Sequence, residues 1–116
     1  MTPVRKNYER VVSSAVFAIL LSAATASAQE STTLHITLKG NRFQPSELSA
    51  PANKPLTIVV TNGDSAPAEF ESTTLRVEKV VTGGGTISLN IRPLAPGRYR
   101  FFNDFHQETD GYLVVK

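Results

Sequence analysis

Gly97-Arg98-Tyr99-Arg100-Phe101-Phe102-Asn103-Asp104-Phe105-His106-Gln107-Glu108, continuing through Thr109-Asp110-Gly111-Tyr112-Leu113-Val114-Val115-Lys116, is the stretch around which the chain is organised. Pro96 followed by Gly97 opens it with a turn. Tyr99 and Phe101 then alternate with Arg100 and Phe102, the period-two pattern of a half-buried strand. Tyr112 to Val115 reads as a closing strand that returns to the core. Between the two strands Asp104, His106 and Glu108 fall at alternate positions. Alternate side chains of an extended chain point the same way, so a carboxylate, an imidazole and a second carboxylate are expected on one side, placed to share a cation.

Outward from this stretch the chain reads as short strands separated by turns. Thr32 to Leu38 puts Leu34, Ile36 and Leu38 on one face and His35 on the other, solvated one. Gly40 to Ala50 reads as a bend followed by a strand toward Leu48. Pro51-Ala52-Asn53-Lys54-Pro55 is a turn by composition. Leu56 to Thr61 is apolar and β-branched, the best central strand, and Asn62-Gly63-Asp64 ends it. In Ser65 to Ser72, Phe70 is expected inward and Glu69 and Glu71 together on the opposite face. Leu75, Val77 and Lys79 against Arg76, Glu78 and Val80 suggest a further strand, whose register decides where Glu78 points. Gly83-Gly84-Gly85 is a loop without the Lys-Ser/Thr or helix start of a phosphate cradle. Thr86 to Arg92 turns Ile87, Leu89 and Ile91 inward. The expected core is Leu34, Ile36, Ile58, Val60, Phe70, Ile87, Leu89, Tyr99, Phe101, Leu113 and Val115. Helical periodicity is absent beyond the N-terminal segment, so the expected fold is all-β, an antiparallel Greek-key sandwich.

The N-terminal segment is read separately. Arg5, Lys6 and Arg10 form a basic region, Val11 to Ala24 is apolar, and Ala26-Ser27-Ala28 is a small-x-small cleavage signal. These are the parts of a secretory signal peptide, cut after Ala28, which leaves residues 29–116 as one small domain. The formal charge of the whole chain is +2, and the three cations less Glu9 account for it. The remainder is near neutral and has no Lys/Arg run, so nucleic acid is not an expected partner. The chain contains no cysteine, which removes disulfides, thiolate ligands, iron–sulfur clusters and thiol nucleophiles together. No nucleophile-elbow motif is present, so nucleophilic catalysis has no support in the sequence.

The stretch from Tyr99 to His106 resembles the C-terminal ligand loop of the cupredoxins. That loop runs Tyr, an aromatic two residues on, Cys two further, and His three after it. Here Tyr99 and Phe101 are the aromatics, Asn103 stands at the Cys place and His106 at the His place. Thr109 and Asp110 stand where the axial Met is expected, and Ala68 where the first His ligand falls. The resemblance therefore implies the cupredoxin fold without its blue-copper ligand set. Pro67-Ala68-Glu69-Phe70-Glu71-Ser72 with Phe101-Phe102-Asn103-Asp104-Phe105-His106, and the order Leu75 to Val81 and Leu94-Ala95-Pro96-Gly97 between them, resemble the cupredoxin-like domain of EfeO-type periplasmic iron-uptake proteins. They are similar also to the stand-alone cupredoxin component of bacterial ferrous-iron uptake. The larger EfeO proteins add a helical metal-binding domain, which is not expected here.

The resemblance implies a periplasmic protein, with an inner-membrane iron permease and other uptake components as partners and a copper or iron ion as ligand. Carboxylates with one imidazole suit iron, Cu(II), Mn(II) or Zn(II). The candidate ligands are Glu69, Glu71, Asp104, His106 and Glu108. Two functions stay open at this point: metal handling in iron uptake, and a metal-free sandwich that docks on a membrane transport complex. The carboxylates as plain solvated side chains, with His106 capping a turn, is the structural alternative.

Overall fold

The computed structural model describes residues 31–116; the expected signal peptide lies outside the described residues. Nine strands follow one another without a helix among these residues. They are β1 (Thr32–Lys39), β2 (Arg42–Gln44), β3 (Glu47–Ala50), β4 (Leu56–Asn62), β5 (Ala68–Ser72), β6 (Val77–Val81), β7 (Thr86–Ile91), β8 (Gly97–Asn103) and β9 (His106–Val115). One sheet has the order β2-β1-β4-β7 and the other β3-β9-β8-β5-β6. The chain is thus a two-sheet Greek-key β-sandwich, as its period-two strands predict.

Each sheet turns one face inward because its residues alternate. In β4, Leu56, Ile58, Val60 and Asn62 are buried while Thr57, Val59 and Thr61 are less so. As expected, β4 is an interior strand of its sheet. It lies antiparallel to β7 but parallel to β1, and β3 lies parallel to β9, so the sheets are mixed where antiparallel pairing was expected. Period-two alternation reads the same in either direction and does not set the direction of a neighbour. Of the expected core residues, Leu34, Ile87 and Tyr99 are only partly buried; they pack against the buried cluster from its rim. His35 is exposed.

Three phenylalanines fill the centre. Phe43 meets Phe70 and Phe101 edge-on, with ring centroids 5.9 and 5.1 Å apart, and Phe70 and Phe101 stack at 5.2 Å. Edge-to-face and offset arrangements suit the ring quadrupoles. Gly111 lies flat against this wedge. A Cβ built there would come within 2.5 Å of the Phe101 ring and 2.6 Å of the Ser46 carbonyl, so only glycine fits.

Two local readings differ from the structure. The strand expected from Leu75 begins at Val77: Thr73 to Arg76 form a turn, and Arg76 adopts a left-handed φ of 58°. Leu75 is still buried, because the turn folds it under the sheet and its N–H donates to Ser72 Oγ. The second difference is in the organising stretch, where a two-residue turn at Asp104–Phe105 interrupts the extended chain.

Candidate metal centre

Around that turn the five expected ligands separate: three carboxylates gather, while His106 and Glu108 stand apart from them. Along β5, Ala68, Phe70 and Ser72 point into the sandwich, so Glu69 and Glu71 must point out. On β8, Asn103 is buried and Asp104 follows it outward. Backbone bonds lock the two strands in this phase: the Glu69 N–H donates to Asn103 Oδ1 (3.0 Å), and the Asp104 N–H donates to the Glu69 carbonyl (2.9 Å). Glu69, Glu71 and Asp104 therefore converge on the outer face, each with a carboxylate oxygen within 4.8 Å of the others.

His106 and Glu108 are not in that group. Phe102 pairs with Asp110, but the next residue, Asn103, pairs with His106, an irregularity that leaves residues 107–109 unmatched across the strands. Cross-strand partners share a face, so His106 goes with the inward Asn103 rather than with Asp104. Its Nδ1 lies 3.7 Å from Glu108 Oε1, and both side chains are well exposed. The expectation that Asp104, His106 and Glu108 face one way thus does not hold, because period two applies only to an uninterrupted strand. Gln107 reaches Asp104 instead, donating from Nε2 to Oδ1 at 2.9 Å.

The outer group gains a member whose face the sequence left to register. Glu78 of the edge strand β6 pairs with Glu71 and so stands on the same face. The described residues supply no balancing cation. Their ion pairs join Arg98 to Glu47, Arg100 to Asp110 and His106 to Glu108, and none reaches Glu69, Glu71, Glu78 or Asp104. The Oε1 atom of Glu69 is buried without a hydrogen-bond partner. Two carboxylates are both acceptors, so Glu69 and Glu78 can bond only through a shared proton. That bond, followed by burial and by the charges of Glu78, Asp104 and Glu71, pushes Glu69 up to about 6. Glu71 is raised too, by burial first and then by Asp104 and Glu78.

Three hard oxygen donors at this spacing suit a cation. Ligand oxygens about 2.0–2.6 Å from one ion lie up to roughly 5 Å apart across it, so small side-chain rotations suffice to close the group. A bound cation would also relieve the carboxylate repulsion that raises Glu69 and Glu71.

His106 lines a different feature, a cavity of about 270 Å³ at the end of the sandwich, with Asn41, Asp64, Ala68 and Asn103 among its other walls. Its rim is held by buried Asn62, whose Nδ2 donates to the carbonyls of Ala66 (2.8 Å) and Val81 (3.2 Å) and whose Oδ1 accepts from the Asp64 N–H (3.0 Å). The Asp64 carboxylate in turn accepts from the N–H groups of Gly40 (2.8 Å) and Asn41 (3.2 Å), which hold its carboxyl below the usual range. Sequence reasoning missed Asp64 and Asn62 as builders of a site, having read them only as a strand-ending turn.

The chain belongs to the cupredoxin-like domain family, whose model matches residues 12–115. An uncharacterized protein of Rickettsia prowazekii (strain Madrid E) is 37% identical over 81 residues, 69% of this chain. The match spans 65% of that relative's length. Among solved structures, the purple cupredoxin from Nitrosopumilus maritimus superposes with a TM-score of 0.58 at 20% identity, covering 72% of this chain and 99% of that one. Auracyanin A, a "blue" copper protein from Chloroflexus aurantiacus, gives a TM-score of 0.64 at 16% identity, with 75% and 100% covered. The metal-binding domain of the Cu(I)-exporting P-type ATPase of Streptococcus pneumoniae gives 0.64 at 12% identity, with 76% and 97% covered. These likenesses establish the fold.

A blue-copper ion does not fit the residues present. Ala68 offers no ligand atom, and Asn103 offers an amide whose oxygen already accepts from Glu69 and Phe105 N–H groups. Thr109 Oγ1 is committed to the Asn41 carbonyl at 2.8 Å. Of the expected blue-copper positions only His106 keeps its ligand type.

Proposed function

We propose that this protein is a periplasmic cation-binding protein of iron uptake, which presents Fe(II), Fe(III) or Cu(II) to an inner-membrane permease. The observation that carries this reading is the convergence of Glu69, Glu71 and Asp104 within 4.8 Å, unbalanced by any positive side chain among the described residues. All-oxygen sites favour hard, highly charged ions. The structural relatives named for copper or metal binding support a metal-handling role in the family, and the likeness to EfeO-type domains supports iron. Strand β5 and the turn after β8 contribute these carboxylates from segments well separated in sequence, so folding assembles the site.

Titration calorimetry of the full chain with anaerobic Fe(II) and with Cu(II) tests the reading. One ion per chain is expected, with affinity lost in the Glu69→Gln, Glu71→Gln variant. A protein that binds neither ion would favour the second reading, a metal-free module that docks on a transport complex. What favours that alternative is that Val80 and Phe105, 49% and 48% exposed, flank the same carboxylates. Val80 pairs with Glu69 across the strands, and Phe105 follows Asp104.

A further inference from the structure

Two open sheets have four edge strands, which among the described residues are β2, β7, β3 and β6. An edge strand presents unpaired backbone N–H and C=O groups to any extended chain that meets it, and proteins blunt such edges with short strands, charges and proline. Three of the four are blunted here. Strand β2 has three residues, carries Arg42 and ends just before Pro45; β3 has four and carries Glu47; β6 has five and carries Glu78 and Lys79. Strand β7 is the exception. Thr86-Ile87-Ser88-Leu89-Asn90-Ile91 is the longest of these edges and has neither charge nor proline. Its one strand partner among the described residues is β4. Arg92, the first charge beyond it, is drawn back onto its own chain, donating to the carbonyls of Leu75 (3.1 Å) and Thr74 (3.2 Å). Ile87 is only partly buried, and no strand of this sheet lies beyond it to cover it.

We propose that β7 is a self-association edge, which pairs antiparallel with the β7 of a second copy of this chain across a two-fold axis. Directly opposed residues of an antiparallel pair share a face, so a strand that meets itself must set apolar against apolar and polar against polar. Centred on Ser88, this one does. Ile87 comes opposite Leu89 of the second copy on the inward side; Ser88 meets Ser88, and Thr86 meets Asn90, on the outward side. The two-fold repeats each pairing, as an isologous interface requires. Charge is compatible with the same occupant. The outward residues beside β7 in its sheet, Thr57, Val59 and Thr61, are uncharged too, so the two copies bring no like charges together along the seam. Five paired residues make an interface smaller than the ~1,200 Å² at which stable complexes begin, so the dimer forms and dissociates with concentration. The carboxylates Glu69, Glu71 and Asp104 belong to the other sheet, and the pairing stands whether or not they bind metal.

Sedimentation velocity of the full chain over a concentration series tests this, with Ser88→Lys and Ser88→Glu as separate variants. Ser88 is exposed, so neither new charge is buried within a single copy. The unmodified protein should pass from monomer to dimer as concentration rises. Each variant should dimerise about fivefold more weakly, because its like charges stand opposite each other, and an equimolar mixture of the two should restore the dimer by setting Lys against Glu. A protein still monomeric at about 1 mM, the weak end of specific association, would overturn the proposal. So would variants that dimerise as the unmodified protein does, or a mixture that stays monomeric. If the variants do not fold, amide hydrogen exchange of the unmodified protein decides it. The β7 amides that point away from β4 should exchange more slowly as concentration rises, while those on the free edge of β6 should not change. Exchange at β7 that is independent of concentration would overturn the pairing.

Discussion

Ala68 and Asn103 point into the end of the sandwich, while Glu69 and Asp104, one residue further along each strand, point out. The inner pair lines a cavity whose surrounding polar side chains are engaged by backbone groups: Asn103 by two N–H groups, Asp64 by two more, and Asn62 by two carbonyls. The outer group is the reverse, carboxylates with no positive partner within ion-pair distance among the described residues. In this chain the inner side no longer offers a blue-copper ligand set, whereas the outer side has the charge and donor density to hold an ion. Strand parity puts adjacent residues on opposite faces, so one step along the chain separates the two chemistries by the thickness of one sheet.

The comparison breaks first at what both sides rest on. Phe101 is fully buried and stacks on Phe70, which lies between Glu69 and Glu71. Phe101→Ala should cost ~3–5 kcal/mol in denaturant unfolding and loosen both sides together. A loss below about 1 kcal/mol, the scale of surface changes, would mean that the two sides do not share this support.

The next largest effect separates the two sides. Glu69→Gln with Glu71→Gln should weaken Fe(II) or Cu(II) binding by more than the ~10–100-fold typical of losing a ligand's supporting partner. His106→Ala should move the same affinity by no more than about 0.5 kcal/mol. Calorimetry of both variants checks this, and the opposite ranking would place the ion with the histidine.

A smaller effect appears against pH. Protons compete with metal for a carboxylate, and Glu69 is raised to about 6. Affinity at the outer face should therefore begin to fall as pH drops through 6, earlier than for carboxylates at the ordinary value of 4.5. Binding that stays constant down to pH 5 would remove Glu69 from the ligand set.

The smallest expected effect is on the metal-free protein. Glu69 has a higher pKa folded than unfolded, so the folded state binds its proton more tightly. Its contribution is most favourable below the unfolded value of 4.5 and is lost as pH rises through about 6. With chelator present, Glu69→Gln should raise the denaturation midpoint at pH 7.5 and leave it nearly unchanged at pH 4. A midpoint lowered at pH 7.5 would show that the ionised carboxylate is welcome where it stands.

Much of this molecule was legible from its residues. Apolar, β-branched composition identified the central strand, and alternation gave the inward Phe70 and the outward Glu69 and Glu71, because both are properties of each strand alone. The missing cysteine ruled out a thiolate centre before any geometry was known. The expectation that Asp104 and His106 share one side failed, because a two-residue turn and an irregular β8–β9 register intervene. The sequence left Glu78 open because a strand's face depends on its neighbour. Asn103 read only as a ligand lost. Its role as a clamp needs the Glu69 N–H, 34 residues away in sequence. Local pattern decides what each strand can bury; pairing between distant strands decides which charges meet, and here only the tertiary structure brought Glu69, Glu71 and Asp104 together and turned His106 from them.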